Sequence, residues 1–280
     1  MSARDQLLVV IDPVARRTDG ESVRIAKDVL GAGAAVRICL PEGPEEFAKS
    51  LARRGARRPV VIGDDRALLR AVTVLHRERE LGSCAVSVVP VGTAHVLSRS
   101  LGVPPGAVAA ARAVLEGAER RLDLLVDDSD GVVLGHLRIP PVGAPAPAPA
   151  PVSGEPTADA HPWLRTCQSF VRTLARPARV ASAPGPAPAR LRVEADGVLM
   201  VDLDQPVEGV SVSPGADGLA QVEVRPSSVG AAAQALRARA RTVTVSGADF
   251  RYRADAVVGG PVRTRTWSVR TGAWGLVLPE

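Results

Sequence analysis

The strongest constraint on the fold is a regular alternation of apolar runs and helix-like segments in the first third of the 280-residue chain. The apolar runs lie at residues 6–11, 34–40, 59–63 and 84–90. The first run is continuously apolar after Gln6, as in a parallel strand that is buried on both faces, and the other three are predominantly apolar. Helix signals follow at 18–30, with Thr18 as the expected cap, and at 45–54, 67–80, 93–101 and 105–117. The alternation predicts an α/β domain, a parallel sheet between two helical layers.

After Arg121 the pattern changes to short β runs. An Asp130-Gly131 turn between two such runs predicts a hairpin. Further β runs fill the sequence from residue 191, except for a predicted helix at 230–239. We therefore predict an α/β domain at 1–120 and an antiparallel β-sandwich-like domain at 121–280. Pro/Ala-rich insertions are predicted at about 140–157 and 177–190, with a helix at 163–174 between them.

Composition narrows the classes of function. The net charge of +5 suggests nucleic-acid or membrane binding, but only two lysines occur and the arginines are scattered along the chain. That scatter argues against a nucleic-acid partner. No apolar run is long enough for a signal peptide or a membrane span. Three separated cysteines without CxxC spacing fit a reduced compartment. We expect a cytoplasmic protein, peripheral to the inner face of the membrane if it handles lipid.

Candidate site residues follow the predicted strands at their carboxyl ends, where open α/β sheets bind ligands. Gly63 and Gly92 would let backbone amides approach a phosphate, although a sharp strand-to-helix turn needs glycine equally. Asp12 is either a contact to a ribose or adenine, or a turn former before Pro13.

The order of these landmarks resembles the diacylglycerol kinase catalytic family, which is related to sphingosine kinases and, more distantly, to NAD kinases. The family's GGDGT phosphate loop corresponds to Ile62-Gly63-Asp64-Asp65-Arg66. Its P-x-G-T landmark corresponds to Pro90, Gly92 and Thr93. Further matches are Asp12-Pro13, the LGVP at residues 101–104, the RLDL at 121–124 and the PGADGL at 214–219.

The resemblance implies transfer of a phosphoryl group from ATP, with Mg²⁺, to a lipid hydroxyl such as that of diacylglycerol at the membrane surface. It implies that Asp64 is catalytic and that Asp217 contacts the metal. The residues it assigns to the nucleotide are Asp12, Gly63, Asp64, Arg66, Gly92, Thr93 and His95. The resemblance leaves a homodimer open. His95 alternatively caps a helix or lies at the surface, and Asp217 alternatively orients strands.

Departures from the family pattern support an alternative. A glycine of the phosphate loop is replaced by Asp65, whose carboxylate would repel a phosphate by about 4 kcal/mol at 4 Å and an effective dielectric of 20. Arg66 replaces the threonine and would attract phosphate. The family's Asn-Glu pair is Leu69-Arg70, and its late Asp-Gly-Glu is only weakly matched at 255–257, so the expected general base is absent. The alternative is a catalytically impaired pseudokinase that binds nucleotide, lipid or a protein partner.

Overall fold

The computed structural model describes residues 6–141, 188–227 and 234–280, all within one compact unit. The predicted helix at 163–174 and nearly all of the two Pro/Ala-rich insertions lie outside the described residues. Within the described residues, the chain has a mixed α/β fold, which confirms the predicted class.

The first part of the chain forms the predicted parallel sheet. Its strands are β1 (Gln6–Ile11), β2 (Ala35–Cys39), β3 (Arg58–Gly63) and β4 (Ala85–Pro90). They lie side by side in the order β4-β3-β1-β2. The continuous apolar sequence of β1 has a direct cause, because alternate residues of this strand pack in two separate cores. Leu7 and Val9 face one core, and Leu8 and Val10 face the other.

In the described part of the chain, six helices cover this sheet. They are α1 (Pro13–Thr18), α2 (Gly20–Gly33), α3 (Pro44–Ala52), α4 (Asp65–Arg77), α5 (Val96–Ser100) and α6 (Ala107–Glu116). Phe47 of α3 packs in one core, whereas Leu30 of α2 and Val114 of α6 pack in the other. The helices therefore lie on both sheet faces. The predicted Thr18 cap is wrong: Thr18 ends α1, and Asp19 caps α2 by accepting a hydrogen bond from the Ser22 amide.

The remaining strands build an antiparallel region with its own core around Trp267. They are β5 (Ala118–Asp127), β6 (Val132–Val133), β7 (Leu137–Ile139), β8 (Ala189–Ala195), β9 (Val198–Val201), β10 (Pro206–Pro214), β11 (Ala220–Pro226), β12 (Leu236–Ala240), β13 (Thr242–Ala254) and β14 (Val257–Leu278). The predicted hairpin forms between β5 and β6. The division into two domains at residue 120 stays a prediction.

The helix predicted at 230–239 is wrong where the structure describes it, because residues 236–240 form β12, paired with β11. Alanine and arginine are good helix formers, which explains the expectation. Their alternation has the period of a strand instead: Ala240 is buried, while Arg237 and Arg239 lie in more exposed positions. Pairing with β11 outweighs the intrinsic helix propensity.

Strand β14 joins the two regions. Its first part pairs with β13 and its later part with β5. Residues Gly275 and Leu276 also pair in parallel with Ala85 and Val86 of β4, so the parallel sheet continues into the antiparallel one. Trp267 lies in the core of the β-rich region, and Trp274 lies in the core of the helical region. One strand thus contributes a fully buried tryptophan to each core.

Candidate active site

Three loops meet at the carboxyl edge of the parallel sheet, after β1, β3 and β4. The Asp12 amide donates to the Ile62 carbonyl at 2.9 Å, the Val91 amide to the Gly63 carbonyl at 3.0 Å, and the Asp65 amide to the Ala94 carbonyl at 2.9 Å. The loops that carry the predicted site residues are therefore held together by backbone hydrogen bonds.

Close packing explains the glycine at position 63, and a positive φ explains the glycine at position 92. A Cβ on Gly63 would lie 2.6 Å from the Cβ of Ala67 and 3.0 Å from that of Asp12. Gly92 has a φ of +121°, and a Cβ there would lie 3.4 Å from the Cβ of Asp64. The strand-to-helix turns therefore need glycine here before any ligand is considered.

Asp64 and Asp12 both cap helices. Asp64 Oδ1 accepts hydrogen bonds from the amides of Arg66 at 3.0 Å and Ala67 at 3.1 Å, at the start of α4. Asp12 is buried, and its Oδ2 accepts from the Val14 amide at 2.9 Å. Its other oxygen, Oδ1, accepts from Arg70 at 2.8 Å. Asp12 therefore uses both oxygens within the protein, whereas the capping bonds of Asp64 use only Oδ1.

Asp65 is buried, and its carboxylate binds the start of α5. Its Oδ1 accepts from the Ser98 amide at 2.9 Å and the Ser98 hydroxyl at 2.6 Å, and its Oδ2 accepts from the Leu97 amide at 2.8 Å. The sequence suggested that this carboxylate would repel a phosphate, but both of its oxygens accept hydrogen bonds from the start of α5. The carboxylate is stabilised by three hydrogen-bond donors and holds α5 against the loop after β3.

His95 and Thr93 lie in the loop before α5. His95 occupies the N-cap position of α5, but its side chain makes no capping hydrogen bond. Its Nε2 is buried and has no hydrogen-bond partner within the described residues. Thr93 is exposed. The helix-capping alternative for the His95 side chain is therefore not realised.

A cavity of about 790 Å³ lies beside α4, bounded by α3 and by the turn between β13 and β14. Four arginines line it: Arg66, Arg70, Arg77 and Arg253. Arg70 is fixed by its ion pair with Asp12 and lies over the Phe47 ring, 5.4 Å from the ring centroid. The cavity also has apolar lining from Leu69, Val257 and Val258. We call it the arginine cavity.

Arg77 and Arg253 were not among the site residues predicted from the sequence. The sequence held a signal for one of them, because Arg66, Arg70 and Arg77 are spaced by four and seven positions on α4, which places them on one helix face. Arg253 carried no comparable signal, since it reaches the cavity from β13.

The described residues do not fit a Mg²⁺ site made by the protein. No group of three His, Cys, Asp or Glu side chains converges among them. Asp217, the predicted metal contact, forms an ion pair with Arg239. Asp123 accepts hydrogen bonds from the amides of Gly218 at 2.8 Å and Gly272 at 2.7 Å, so its carboxylate links β5 to two other backbone segments.

Asp255, from the weakly matched acidic motif, fixes the backbone between β6 and β7 to the turn between β13 and β14. It accepts hydrogen bonds from the amides of Leu134, Gly135 and His136 at 2.7–2.9 Å. Burial raises the pKa of its carboxyl, against these three bonds, which lower it. Val257, at the position of the family's glutamate, is exposed.

The comparisons with known proteins agree with this architecture. A diacylglycerol kinase structure from Bacillus anthracis str. Sterne has a TM-score of 0.67 at 12% identity and covers 99% of this chain and 98% of its own. An NAD kinase from Archaeoglobus fulgidus, solved in complex with ATP, has a TM-score of 0.52 at 14% identity and covers 98% and 94%. The chain therefore has the fold shared by diacylglycerol kinases and NAD kinases.

A sequence comparison agrees with the motifs. Residues 6–126 match the diacylglycerol kinase catalytic domain, which confirms the resemblance seen in the motifs. No curated protein matches the chain. Among the described helices, none is long and apolar enough to cross a membrane.

Proposed function

We propose that the protein is a lipid-kinase-like enzyme that binds ATP at the three joined loops and transfers its terminal phosphoryl group to a lipid hydroxyl, such as that of diacylglycerol. The observation that carries this proposal is the assembly of the loops after β1, β3 and β4 by backbone hydrogen bonds. The family match over residues 6–126 and the ATP-bound relative of the same fold support it. A lipid acceptor would place the protein at the cytoplasmic face of a membrane.

Several predicted residues keep a role in this proposal. The backbone near Gly63 and Gly92 and the exposed Thr93 would approach the phosphates. Arg66 is exposed and would bind a phosphate oxygen pair through its planar guanidinium. Buried Nε2 of His95 lacks a partner within the described residues and would take one from the nucleotide. Asp12 would shape the site indirectly, through its ion pair with Arg70.

Asp64 is the carboxylate that we assign to the reaction. In the transfer, the lipid hydroxyl oxygen bonds to the γ-phosphorus, the bond to the bridging oxygen of ADP breaks, and the hydroxyl proton leaves. Asp64 Oδ2 would accept that proton, because the capping bonds occupy only Oδ1. Mg²⁺ belongs to this proposal as the ion that accompanies ATP.

The test is transfer of radiolabelled phosphate from ATP to a panel of lipids that includes diacylglycerol and sphingosine. We expect transfer to at least one lipid, and a loss of at least about 100-fold in the Asp64→Asn variant. Asparagine caps a helix as well as aspartate does, so this variant should keep its fold. Folded wild-type protein that phosphorylates none of the lipids would refute the proposal.

A second candidate is nucleotide or lipid binding without turnover. Two replacements favour it. Val257 is exposed at the position of one family glutamate, and Arg70 occupies the position of another and binds Asp12 instead. It predicts that Mg-ATP raises the melting temperature while no phosphate reaches any lipid. Transfer at the rate of an intact family member would exclude it.

A further inference from the structure

The arginine cavity combines charge and apolar surface in one space. Arg66, Arg70 and Arg77 line it from one face of α4, and Arg253 adds a fourth guanidinium from β13. Glu45 is the single acidic residue among the described lining residues. The cavity is therefore strongly cationic, which suits an anionic ligand.

Three of these arginines have no partner among the residues that the structure describes. Within the described residues, the side chains of Arg66, Arg77 and Arg253 make no hydrogen bond or ion pair. The Nε of Arg253 is also buried without a hydrogen-bond acceptor. Buried polar groups are satisfied in most proteins, and an unsatisfied buried donor destabilises the fold. An acceptor from outside the chain would satisfy it.

The apolar lining lies within the same cavity. Val257 and Val258 are adjacent at the β13–β14 turn, with 52% and 42% of their surfaces exposed. Leu69 of α4, which replaces the asparagine of the family pattern, lines the cavity as well. These aliphatic side chains can cover the hydrocarbon part of a ligand whose anionic head contacts the arginines.

We propose that the arginine cavity binds a phosphorylated lipid, with its phosphate monoester held directly by guanidinium groups and without a divalent cation. Guanidinium binds phosphate through paired N–H donors, and the arginines supply the positive charge that a metal would otherwise bring. The inference rests on the proposed function for the choice of a glycerolipid, and it adds that the site prefers the phosphorylated lipid to the neutral one.

The test is isothermal titration calorimetry of the full chain in EDTA, without nucleotide. The ligands are dihexanoyl phosphatidic acid, dihexanoylglycerol and inorganic phosphate. We expect phosphatidic acid to bind at least about tenfold more tightly than either of the others, and to bind more weakly as salt is added. Equal binding of dihexanoylglycerol would overturn the proposal, and so would a requirement for Mg²⁺. Equal binding of inorganic phosphate would show a plain anion site and overturn the lipid part.

Matched variants locate the site. Arg77→Gln and Arg253→Gln should each weaken phosphatidic acid binding about tenfold or more, because a charge-assisted hydrogen bond is lost. Arg77 is exposed, so its variant should stay folded even if Arg253→Gln does not. The control is Arg251→Gln, which removes the same charge from the same strand at a position outside the cavity lining. Equal affinities in Arg77→Gln, Arg251→Gln and wild type would overturn the proposal.

The binding measurement can refute this inference without refuting the proposed kinase function, and the reverse also holds. Binding is measured without ATP, so a protein that transfers no phosphate can still bind phosphatidic acid. A protein that phosphorylates diacylglycerol but shows no preference for phosphatidic acid would retain the proposed function and lose this inference alone.

Discussion

Asp65 fixes α5 against the start of α4 with three hydrogen bonds, two to amides and one to the Ser98 hydroxyl. Because α5 has only five residues, it gains little stability from its own hydrogen bonds. The carboxylate therefore holds in place the loop that carries Gly92, Thr93 and His95. Any ligand contact made by that loop depends on Asp65, although Asp65 itself faces the protein interior.

The Asp65→Ala variant should lower the free energy of unfolding by about 2–4 kcal/mol, since it leaves buried donors without an acceptor. Urea denaturation measures the loss. Ser98→Ala is the matched control, because it removes only one of the three bonds and should cost about 1 kcal/mol. A loss in Asp65→Ala no greater than that in Ser98→Ala would show that the carboxylate contributes little.

Asp255 makes stability depend on pH. Burial raises the pKa of its folded-state carboxyl, so its contribution to stability is complete below the unfolded pKa and is lost as the pH rises through the folded pKa. The Asp255→Asn variant lacks this titration. The free energy of unfolding of wild type minus that of the variant should therefore be largest in acid and fall as the pH rises above about 4. A difference that stays constant with pH would contradict the raised pKa.

At the residue scale, the sequence was sufficient to predict which residues come together wherever the order of the strands decides their position. Asp12, Gly63 and Gly92 meet because parallel strands end at one sheet edge. It was insufficient where a side chain finds a distant partner. Asp65 bonds to Ser98, 33 positions away, and Asp255 to Leu134, 121 positions away. No local pattern encodes such pairs.

The junction of α6 and β5 depends on close backbone contact at Gly117. A Cβ there would lie 2.3 Å from the Leu278 carbonyl oxygen and 2.4 Å from that of Ala113. Backbone atoms on two elements cannot move aside as a flexible side chain can. The end of β14 is thus packed directly onto the end of α6.

Gly117→Ala should lower the free energy of unfolding by about 1–3 kcal/mol, because the methyl group forces these elements apart. Gly82→Ala provides the comparison, since a Cβ there meets nothing within 4 Å. That variant should be neutral or slightly stabilising, by up to about 1 kcal/mol. Chemical denaturation of both variants checks the contrast, and similar stabilities would argue against the packing at Gly117.

Elements were predictable where burial sets the residue pattern. The four parallel strands were predictable because burial on both faces makes β1, β3 and β4 almost wholly apolar. The edge strand β2 is more exposed, and Arg37 interrupts its apolar run. Strand β12 was missed because alanine and arginine favour a helix locally, and only pairing with β11 makes residues 236–240 extended. The first residues of α2 and α5 also differ from the predicted ones. Asp19 and Asp65 accept hydrogen bonds from the first turns of these helices and so decide where they begin.

Over the whole molecule, β14 couples the two cores, so we expect the described regions to unfold together. Trp267 reports on one core and Trp274 on the other. The Trp163→Phe variant removes the fluorescence of the third tryptophan, so that only these two report. Calorimetry of this variant should show one transition with equal calorimetric and van 't Hoff enthalpies. Fluorescence of the remaining tryptophans should change at the same temperature. Two separated transitions would mean that β14 does not couple the cores.

The parallel pairing of β14 with β4 also determines when the sheet can be completed during synthesis of the chain. Ala85 and Val86 leave the ribosome about 190 residues before their partners Gly275 and Leu276. At about 5–20 residues per second, the apolar β4 waits roughly 10–40 s with an unpaired side. Native completion of the sheet that carries the loops is therefore a late event. A chaperone that shields β4 during translation would raise the yield of folded protein more than one that acts on the β-rich region.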